Sequence, residues 1–555
     1  MAKTQNELVF APLGGVGEIG MNLGLYGFGN PRSRKWLMVD LGVAFADDAL
    51  PGIDLIMADT RFIEDERDDL LAIILTHAHE DHFGAVIDLW PRLRVPVYAT
   101  AFTAGLLKAK MIEERVDLPI PIHIVPLGGT VDLEPFSVEF VTVTHSIPEP
   151  NGLAIRTPLG MVYHSGDWKV DHAPQIGADI DVTRLTQLGE EGCKALICDS
   201  TNAVRDGVSP SEGDVFETLK QVIAGAPNRV AVTAFASNVA RLRSVALAAQ
   251  ACGRRVAIAG RAMHRIVAVA REAGYLHDVP PFLGDDEFQL LPRNKVAVLV
   301  TGSQGEPRAA LARVAFDDHP LISLVKGDTV VFSSRTIPGN EKAVGRVQNA
   351  LVRAGIEIIT DADGLVHVSG HPRRGELEQM YGWLKPDAIV PVHGEARHLE
   401  AHARLAESHG IAVARAVNGD VVRLLPGPAE KVDELPAGRV YKDGKILIGA
   451  DDEGLRERKR LAYSGCVVVS VVTDRKGELV GEPDAVVLGI PEADDLGELI
   501  YNRVLDAVDG TIASIPKARR KDPDRLAEAV RRAVRAAVAE SWGKRPVCEV
   551  IVTQA

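Results

Sequence analysis

Short apolar runs separated by glycine-rich or polar turns open the chain. Residues 7–12 and 36–40 predict strands of a β-rich core, with a turn through Gly14, Gly15, Gly17 and Gly20 between them. The apolar run 70–75 ends at Thr76, and His77-Ala78-His79-Glu80-Asp81-His82 then forms a loop leading into a helical pattern over 85–90. Polar side chains therefore collect at a strand end. Further strands are predicted at 95–99, 138–144 and 161–164. From about 211 to 359 the rhythm changes to strands at 230–233, 256–259, 296–300, 329–332 and 356–359, separated by helical stretches. This alternation favours a mostly parallel sheet with ligand loops at its carboxyl ends. The loops there, Phe235-Ala236-Ser237-Asn238, Gly302-Ser303-Gln304-Gly305-Glu306 and Ser333-Ser334-Arg335, offer free amides to phosphate oxygens, although ordinary strand-to-helix turns look similar. Residues 366–371 predict another strand, opening a strand–helix–strand unit that ends at 388–395. The charged run 451–460 reads as a linker, following a stretch with Pro426, Gly427, Pro428, Pro436 and Gly438. Beyond it, a hairpin of 467–473 against 485–488 around Asp474-Arg475-Lys476-Gly477, two helices and a strand near 547–552 predict a small α+β domain.

Composition narrows the function. The 555 residues are 46% apolar and 25% charged, so several real cores form and a mostly disordered chain is excluded. A formal net charge of −14 excludes a uniformly basic nucleic-acid surface, so any anion site must be local. Cys193, Cys198, Cys252, Cys466 and Cys548 are scattered without paired metal spacing, which fits free thiols in a reducing cytoplasm. The start, Met1 to Glu7, lacks a signal-peptide pattern, and no run approaches the roughly 20 apolar residues of a membrane span. A cytoplasmic protein without membrane attachment is expected.

The chemistry concentrates at His77, His79, Asp81 and His82, four metal-ligand side chains within six residues. An extended loop can aim them alternately at two centres; a solvated polar loop is the plain alternative. Imidazole and carboxylate suit Zn²⁺ or Mn²⁺, and a ligand set without cysteine fits a hydrolytic site better than a closed structural one. His145, Asp167 and His393 sit at further predicted strand ends and extend the set. Two such centres about 3.5–4 Å apart can stabilise both the attacking and the leaving oxygen of a phosphodiester.

The His-x-His-x-Asp-His run with His145, Asp167 and His393 resembles the dinuclear metallo-β-lactamase superfamily. Cys198-Asp199-Ser200-Thr201, the α/β insertion, the segment from His367 to His371 and Pro391-Val392-His393-Gly394-Glu395 resemble its nucleic-acid-processing β-CASP branch. Within that branch the chain is similar to the bacterial ribonuclease J family, from the Pro12-to-Gly20 turn through Gly302-Ser303-Gln304-Gly305-Glu306 to the tail. Pro372-Arg373-Arg374 departs from the small or polar residues expected there.

The resemblance implies an αββα metallo-β-lactamase sandwich at 1–210 and 361–448, an inserted β-CASP domain at 211–360, a linker at 449–462 and a C-terminal α+β domain at 463–555. It implies that His77, His79 and His145 hold one metal and Asp81, His82 and His393 the other, with Asp167 bridging: two Zn²⁺ per chain, or Mn²⁺. Asp81, Asp199 and His371 would be the catalytic side chains, Asp199 supporting the metal shell or proton transfer and His371 standing near the scissile phosphate. Phe235, Ala236 and Ser237 with His367, Val368, Ser369, Gly370 and His371 would bind the terminal phosphate and nucleotide, with Arg373 and Arg374 adding positive charge. Asp54 and Asp443 are weak candidates for a structural Ca²⁺.

The implied activity is a metal-dependent ribonuclease of RNA maturation and decay, working 5′ to 3′ from monophosphorylated ends with a second, internal mode. A homodimer or homotetramer, and a place in an RNA-degrading assembly, follow from the same likeness. Three alternatives stand beside it. A small-molecule hydrolase of thiolesterase or lactamase type leaves roughly 300 further residues without a purpose. A non-catalytic scaffold predicts missing ligands, yet all seven positions are filled. A DNA-acting nuclease of the same branch is not distinguished by any residue, since no 2′-hydroxyl contact is readable.

Overall fold

The computed structural model describes residues 5–47, 49–284, 287–337 and 339–555; the first four residues of the Met1-to-Glu7 segment read above lie outside them. The chain divides into two compact units, one built from residues up to 44 with 57–439, the other from 45–56 with 440–555.

Two sheets face each other in the first unit. The eight-stranded sheet runs Glu430–Glu434, Asp420–Leu425, Glu7–Gly14, Leu23–Asn30, Ser33–Val39, Leu70–Ile74, Val97–Ala99, Ile122–Ile124. The seven-stranded sheet runs Thr130–Leu133, Phe136–Thr142, Asn151–Thr157, Gly160–His164, Cys193–Asp199, Ala388–Val392, Ala412–Val413. Leu8, Phe10, Leu37 and Ile74 from one sheet and Val138, Leu153, Ile197 and Val390 from the other fill one core between the layers. Alternation along each strand puts these residues on one face. On the outer face of the second sheet, Leu185 and Leu188 of the helix Val182–Glu191 and Leu377, Met380 and Leu384 of the helix Arg374–Leu384 pack against Leu196 and Ile389. This is the expected sandwich of two sheets with outer helices. Ser33–Val39 pairs in parallel with Leu70–Ile74, and Gly160–His164, Cys193–Asp199 and Ala388–Val392 are mutually parallel. Their carboxyl ends deliver Asp40, His77, Asp167, Asp199 and His393 to one edge of the sandwich.

The insertion is a five-stranded parallel sheet in the order Arg255–Ala259, Val296–Val300, Val230–Thr233, Thr329–Phe332, Glu357–Ile359. It is entered through the helix Glu212–Gly225, whose N-cap Ser211 and Asp214 form a capping box. The return segment, residues 366–371, corrects the expected strand: it is a loop. Its polar groups are taken by side chains rather than by a ladder. Val366 O accepts from Arg241 and Ser333, Gly370 O meets His145 Nδ1, and His371 O accepts from Asn202.

In the second unit the strand Cys466–Thr473 pairs antiparallel with Asp484–Leu488 and parallel with Val547–Gln554. The tight turn at 474–477 is present, closed by Gly477 N donating to Asp474 O at 2.9 Å. The helices Ile500–Ser514 and Pro523–Trp542 cover one face through Val504, Val508, Val530 and Val534. The charged run expected to be a linker is instead the helix Glu453–Ser464, capped by the Asp452 carboxylate on Gly454 N and anchored by buried Leu455. Asp443 is ion-paired with Arg458, and neither it nor Asp54 joins a group of three His, Cys, Asp or Glu side chains among the described residues.

Candidate metal centre

Two groups of ligand-type side chains meet at that edge and share one carboxylate. His77, His79 and His145 form the first with Asp167; Asp81, His82 and His393 form the second with the same Asp167. Asp167 Oδ2 lies 3.7 Å from both His77 Nε2 and His145 Nε2, 3.2 Å from His82 Nε2 and 3.5 Å from His393 Nε2. Asp81 Oδ2 closes the second group, 3.6 Å from His82 Nε2 and 3.8 Å from His393 Nε2. His79 Nδ1 sits 3.1 Å from His77 Nε2 and 3.0 Å from His145 Nε2.

Ring nitrogens converging in this way around one carboxylate make a set of donors that an electron-pair acceptor fits. Asp167 Oδ1 and His393 Nε2 point the same way, being buried without a hydrogen-bond partner among the described residues. Burial holds the His77 and His145 imidazoles well below their ordinary pKa and His79 at about 4, so all three present lone pairs at neutral pH. At His82 burial acts in the same sense, but Asp167, Asp81 and Asp40 outweigh it and raise the imidazole. A buried set of imidazoles and carboxylates with no cysteine suits a divalent, hydrolytic metal, and the cluster is a metal-binding site.

Outer partners aim these rings. Asp40 Oδ2 meets His82 Nδ1 at 2.7 Å, Asn22 Oδ1 meets His393 Nδ1 at 2.9 Å, and Thr76 Oγ1 meets His77 Nδ1 at 3.0 Å. Gly370 O meets His145 Nδ1 at 2.6 Å. A side chain at Gly370 would place its Cβ 2.5 Å from the His145 ring, so glycine is required by that close approach. Asp40 and Asn22 were missed by sequence reading. Asp40 carried a usable signal as an acid ending a predicted buried strand; Asn22 carried none. His164, given no role from sequence, is buried under the cluster, bonded to Tyr26 OH at 2.8 Å and pushed down to about 4 by burial.

The third group is Asp199, His371 and His393. Asp199 Oδ2 lies 2.7 Å from His371 Nδ1, and its Oδ1 accepts from Thr201 N at 2.8 Å. Burial alone would lower His371, yet Asp199 and then Asp167 raise it to about 9. Ser369 Oγ accepts from Asn202 Nδ2 at 2.8 Å, which ties the segment from His367 through Val368 to the Asp199 loop. His367 Nδ1 is buried without a partner among the described residues. Phe235, Ala236 and Ser237 form the turn that opens the helix Val239–Ala251. Arg241, in that helix, donates to Val366 O at 2.9 Å and joins the turn to the His367 segment. Arg374 pairs at 3.4 Å with exposed Asp206, which matches part of its charge, and Arg373 N is held by Glu376 at 2.8 Å.

The chain is similar to known proteins along its length. Family models match as the beta-lactamase superfamily domain over 47–189, the ribonuclease J beta-CASP domain over 227–351, the Zn-dependent metallo-hydrolase RNA specificity domain over 355–415 and the ribonuclease J C-terminal domain over 453–555. The ribonuclease J of Sinorhizobium meliloti is 56% identical over 99% of this chain and 97% of its own length. That of Mycolicibacterium smegmatis is 39% identical over 96% and 95%, so the likeness spans every domain. A solved Enterococcus faecalis protein of unknown function covers 77% of this chain and 100% of its own at a TM-score of 0.51, and its 16% identity speaks for the fold alone.

Proposed function

The chain belongs to the ribonuclease J family, and on that ground we propose that it digests RNA 5′ to 3′ from monophosphorylated ends and also cuts internally, in RNA maturation and decay. Members of this family with β-CASP and RNA-specificity domains are metal-dependent RNA nucleases, and this chain is a hydrolytic ribonuclease. The single observation that carries the reading is the Asp167 carboxylate shared by two histidine-rich groups. His77, His79 and His145 would hold one ion and Asp81, His82 and His393 the other, with Asp167 between them. Bound Zn²⁺ or Mn²⁺ would supply Lewis-acid polarisation of the scissile phosphate and acidify a water molecule.

The chain's own groups supply orientation and a proton. Asp199 grips His371 at Nδ1 and keeps the ring protonated, leaving Nε2–H to face the leaving oxygen. Water oxygen bonds to phosphorus and gives up a proton to solvent, the P–O3′ bond breaks, the His371 proton passes to O3′, and the ring takes a proton back from solvent before the next turnover. The released nucleotide carries a 3′ hydroxyl and the remaining RNA a new 5′ phosphate. Phe235, Ala236, Ser237, His367, Val368, Ser369 and Gly370 would bind the terminal phosphate and nucleotide and so deliver each next bond to the same place.

The same reading keeps the metallo-β-lactamase core at 1–210 and 361–448, the β-CASP insertion at 211–360 and the tail at 463–555, with 45–56 and 440–448 grouped with the tail and 449–462 mostly the helix Glu453–Ser464 instead of a linker. The capping box at Ser211 supports the first boundary of the insertion. Assembly into a homodimer or homotetramer, and from there into an RNA-degrading complex, is supported by Val486 and Leu488, 53% and 58% exposed on the edge strand of the tail sheet. Five free cysteines favour the cytoplasm, and no described helix is long and apolar enough to cross a membrane. A structural Ca²⁺ near Asp54 and Asp443 has only its two acids in support.

One RNA labelled at either end and carrying a 5′ monophosphate, triphosphate or hydroxyl tests polarity and end preference together. Mononucleotides released from the monophosphorylated 5′ end are expected; equal rates on all three ends contradict the reading. A matched DNA strand tests the polymer.

A further inference from the structure

Arg241 lies outside the metal cluster, is wholly buried, and is used by nothing in the chemistry above. Its Nη2 donates to both oxygens of Glu212, at 3.1 and 2.8 Å, and Glu212 is 2% exposed. Its Nη1 donates to Ser333 O at 3.1 Å, to Ser333 Oγ, and to Val366 O at 2.9 Å. Ser333 Oγ donates in turn to Val366 O at 2.7 Å. One guanidinium therefore joins the chain entering the insertion at Glu212, the end of the insertion strand Thr329–Phe332, and the chain leaving it at Val366.

Glu212 is itself fixed to the metal-binding sandwich. Its backbone N–H and the Ser211 hydroxyl both donate to Asp171, four residues beyond Asp167, and Asp171 pairs at 2.6 Å with buried Lys169. Arg241 also belongs to the first turn of the helix that follows Phe235-Ala236-Ser237, where its N–H is capped by Asn238 Oδ1 at 2.9 Å. It thus stands between the Ser237 turn and the His367–Gly370 segment. A buried ion pair is a poor source of net stability, since apolar packing does as well. A planar fork with fixed donor directions instead sets the register between the pieces it joins.

We propose that Arg241, held by Glu212, is a positioning residue that sets the spacing between the Phe235–Ser237 turn and the His367–Gly370 segment, and with it the specificity for a 5′-phosphorylated RNA end. This rests on the assignment of that pocket to the terminal phosphate. Lysine at 241 keeps the charge for Glu212 but lacks a second arm to reach Ser333 and Val366 at the same time.

The test uses full-length, metal-loaded protein and three RNAs of one sequence: linear 5′-monophosphate, linear 5′-hydroxyl and circular. For Arg241→Lys the kcat/KM ratio of monophosphate to hydroxyl ends is expected to fall at least about tenfold through a raised KM, while circular RNA is cut within about twofold of the parent rate and metal content is unchanged. A ratio equal to the parent's, or a parallel loss on circular RNA, overturns the proposal. If Arg241→Lys does not fold, Ser333→Ala removes only one hydroxyl of the junction and is expected to lower the ratio about threefold; no change overturns the proposal. Ser369→Ala separates the two levels. If it retains the full end preference, the pocket assignment has failed; if it loses the preference while Arg241→Lys retains it, only the positioning role has failed.

Discussion

Asp40 is 1% exposed and serves two neighbours, His82 through Nδ1 and Thr76 through its backbone N–H and hydroxyl. Holding the Nδ1 side of His82 turns Nε2 toward Asp167, so the carboxylate orients an imidazole of the cluster. Asp40→Ala is expected to weaken metal binding by about 10- to 100-fold, read by competition with a chelator, and unchanged affinity contradicts this role. The run from His77 to His82 was legible because four ligand types stand together in sequence. Asn22 was not, because it is a single residue whose meaning depends on which imidazole the fold brings to it; Asp40 showed only its place at the end of an apolar run, and Gly370 was read for phosphate rather than for its close approach to His145. His145, Asp167 and His393 fall between these cases: strand-end positions marked them as candidates, while their division between two groups came only with the family likeness.

Among the elements, the helix Arg374–Leu384 begins with a buried carboxylate that binds three separate pieces of chain. Glu376 accepts from Val170 N at 2.9 Å, from Ser209 N and Oγ at 2.9 and 2.8 Å, and from Arg373 N at 2.8 Å. Glu376→Gln has nearly the same shape but turns amide protons toward those donors. A loss of about 2–3 kcal/mol in urea unfolding, with the slope unchanged, is expected; a loss within about 0.5 kcal/mol contradicts the account. The five strands of the insertion and about half of those in the two sheets were readable because apolar runs of strand length are bounded by turns; Leu23–Asn30, Asn151–Thr157, Cys193–Asp199 and Asp420–Leu425 were not read as strands. Residues 366–371 failed because their carbonyls are satisfied by Arg241, Ser333, Asn202 and His145, partners that local periodicity does not contain. The helix Glu453–Ser464 failed for a related reason, since charge hid an Asp452 cap and the single buried Leu455.

At the scale of the molecule, Val486 and Leu488 alternate on the exposed face of an edge strand, which is the part of a sheet most open to pairing. A Val486→Lys, Leu488→Lys double variant is expected to sediment as a smaller species than the parent; an unchanged mass counts against assembly through the tail. Burial pushes the Cys193 and Cys198 thiols up to about 12 and that of Cys548 to about 11, which lowers their thiolate fraction at every pH below those values. Native protein at pH 8 should therefore release only Cys252 and Cys466 to a thiol reagent in the fast phase, and all five after unfolding; a fast phase including Cys193 or Cys198 contradicts the packing. The central claim is that Asp167 joins two metal positions into one hydrolytic centre. It is tested most directly by counting metal in Zn²⁺- or Mn²⁺-loaded parent and Asp167→Ala protein, with RNA turnover measured on the same samples. The account predicts about two ions per chain in the parent, fewer in Asp167→Ala, and loss of turnover with them; an Asp167→Ala protein that keeps both the parent's metal content and its turnover would contradict it.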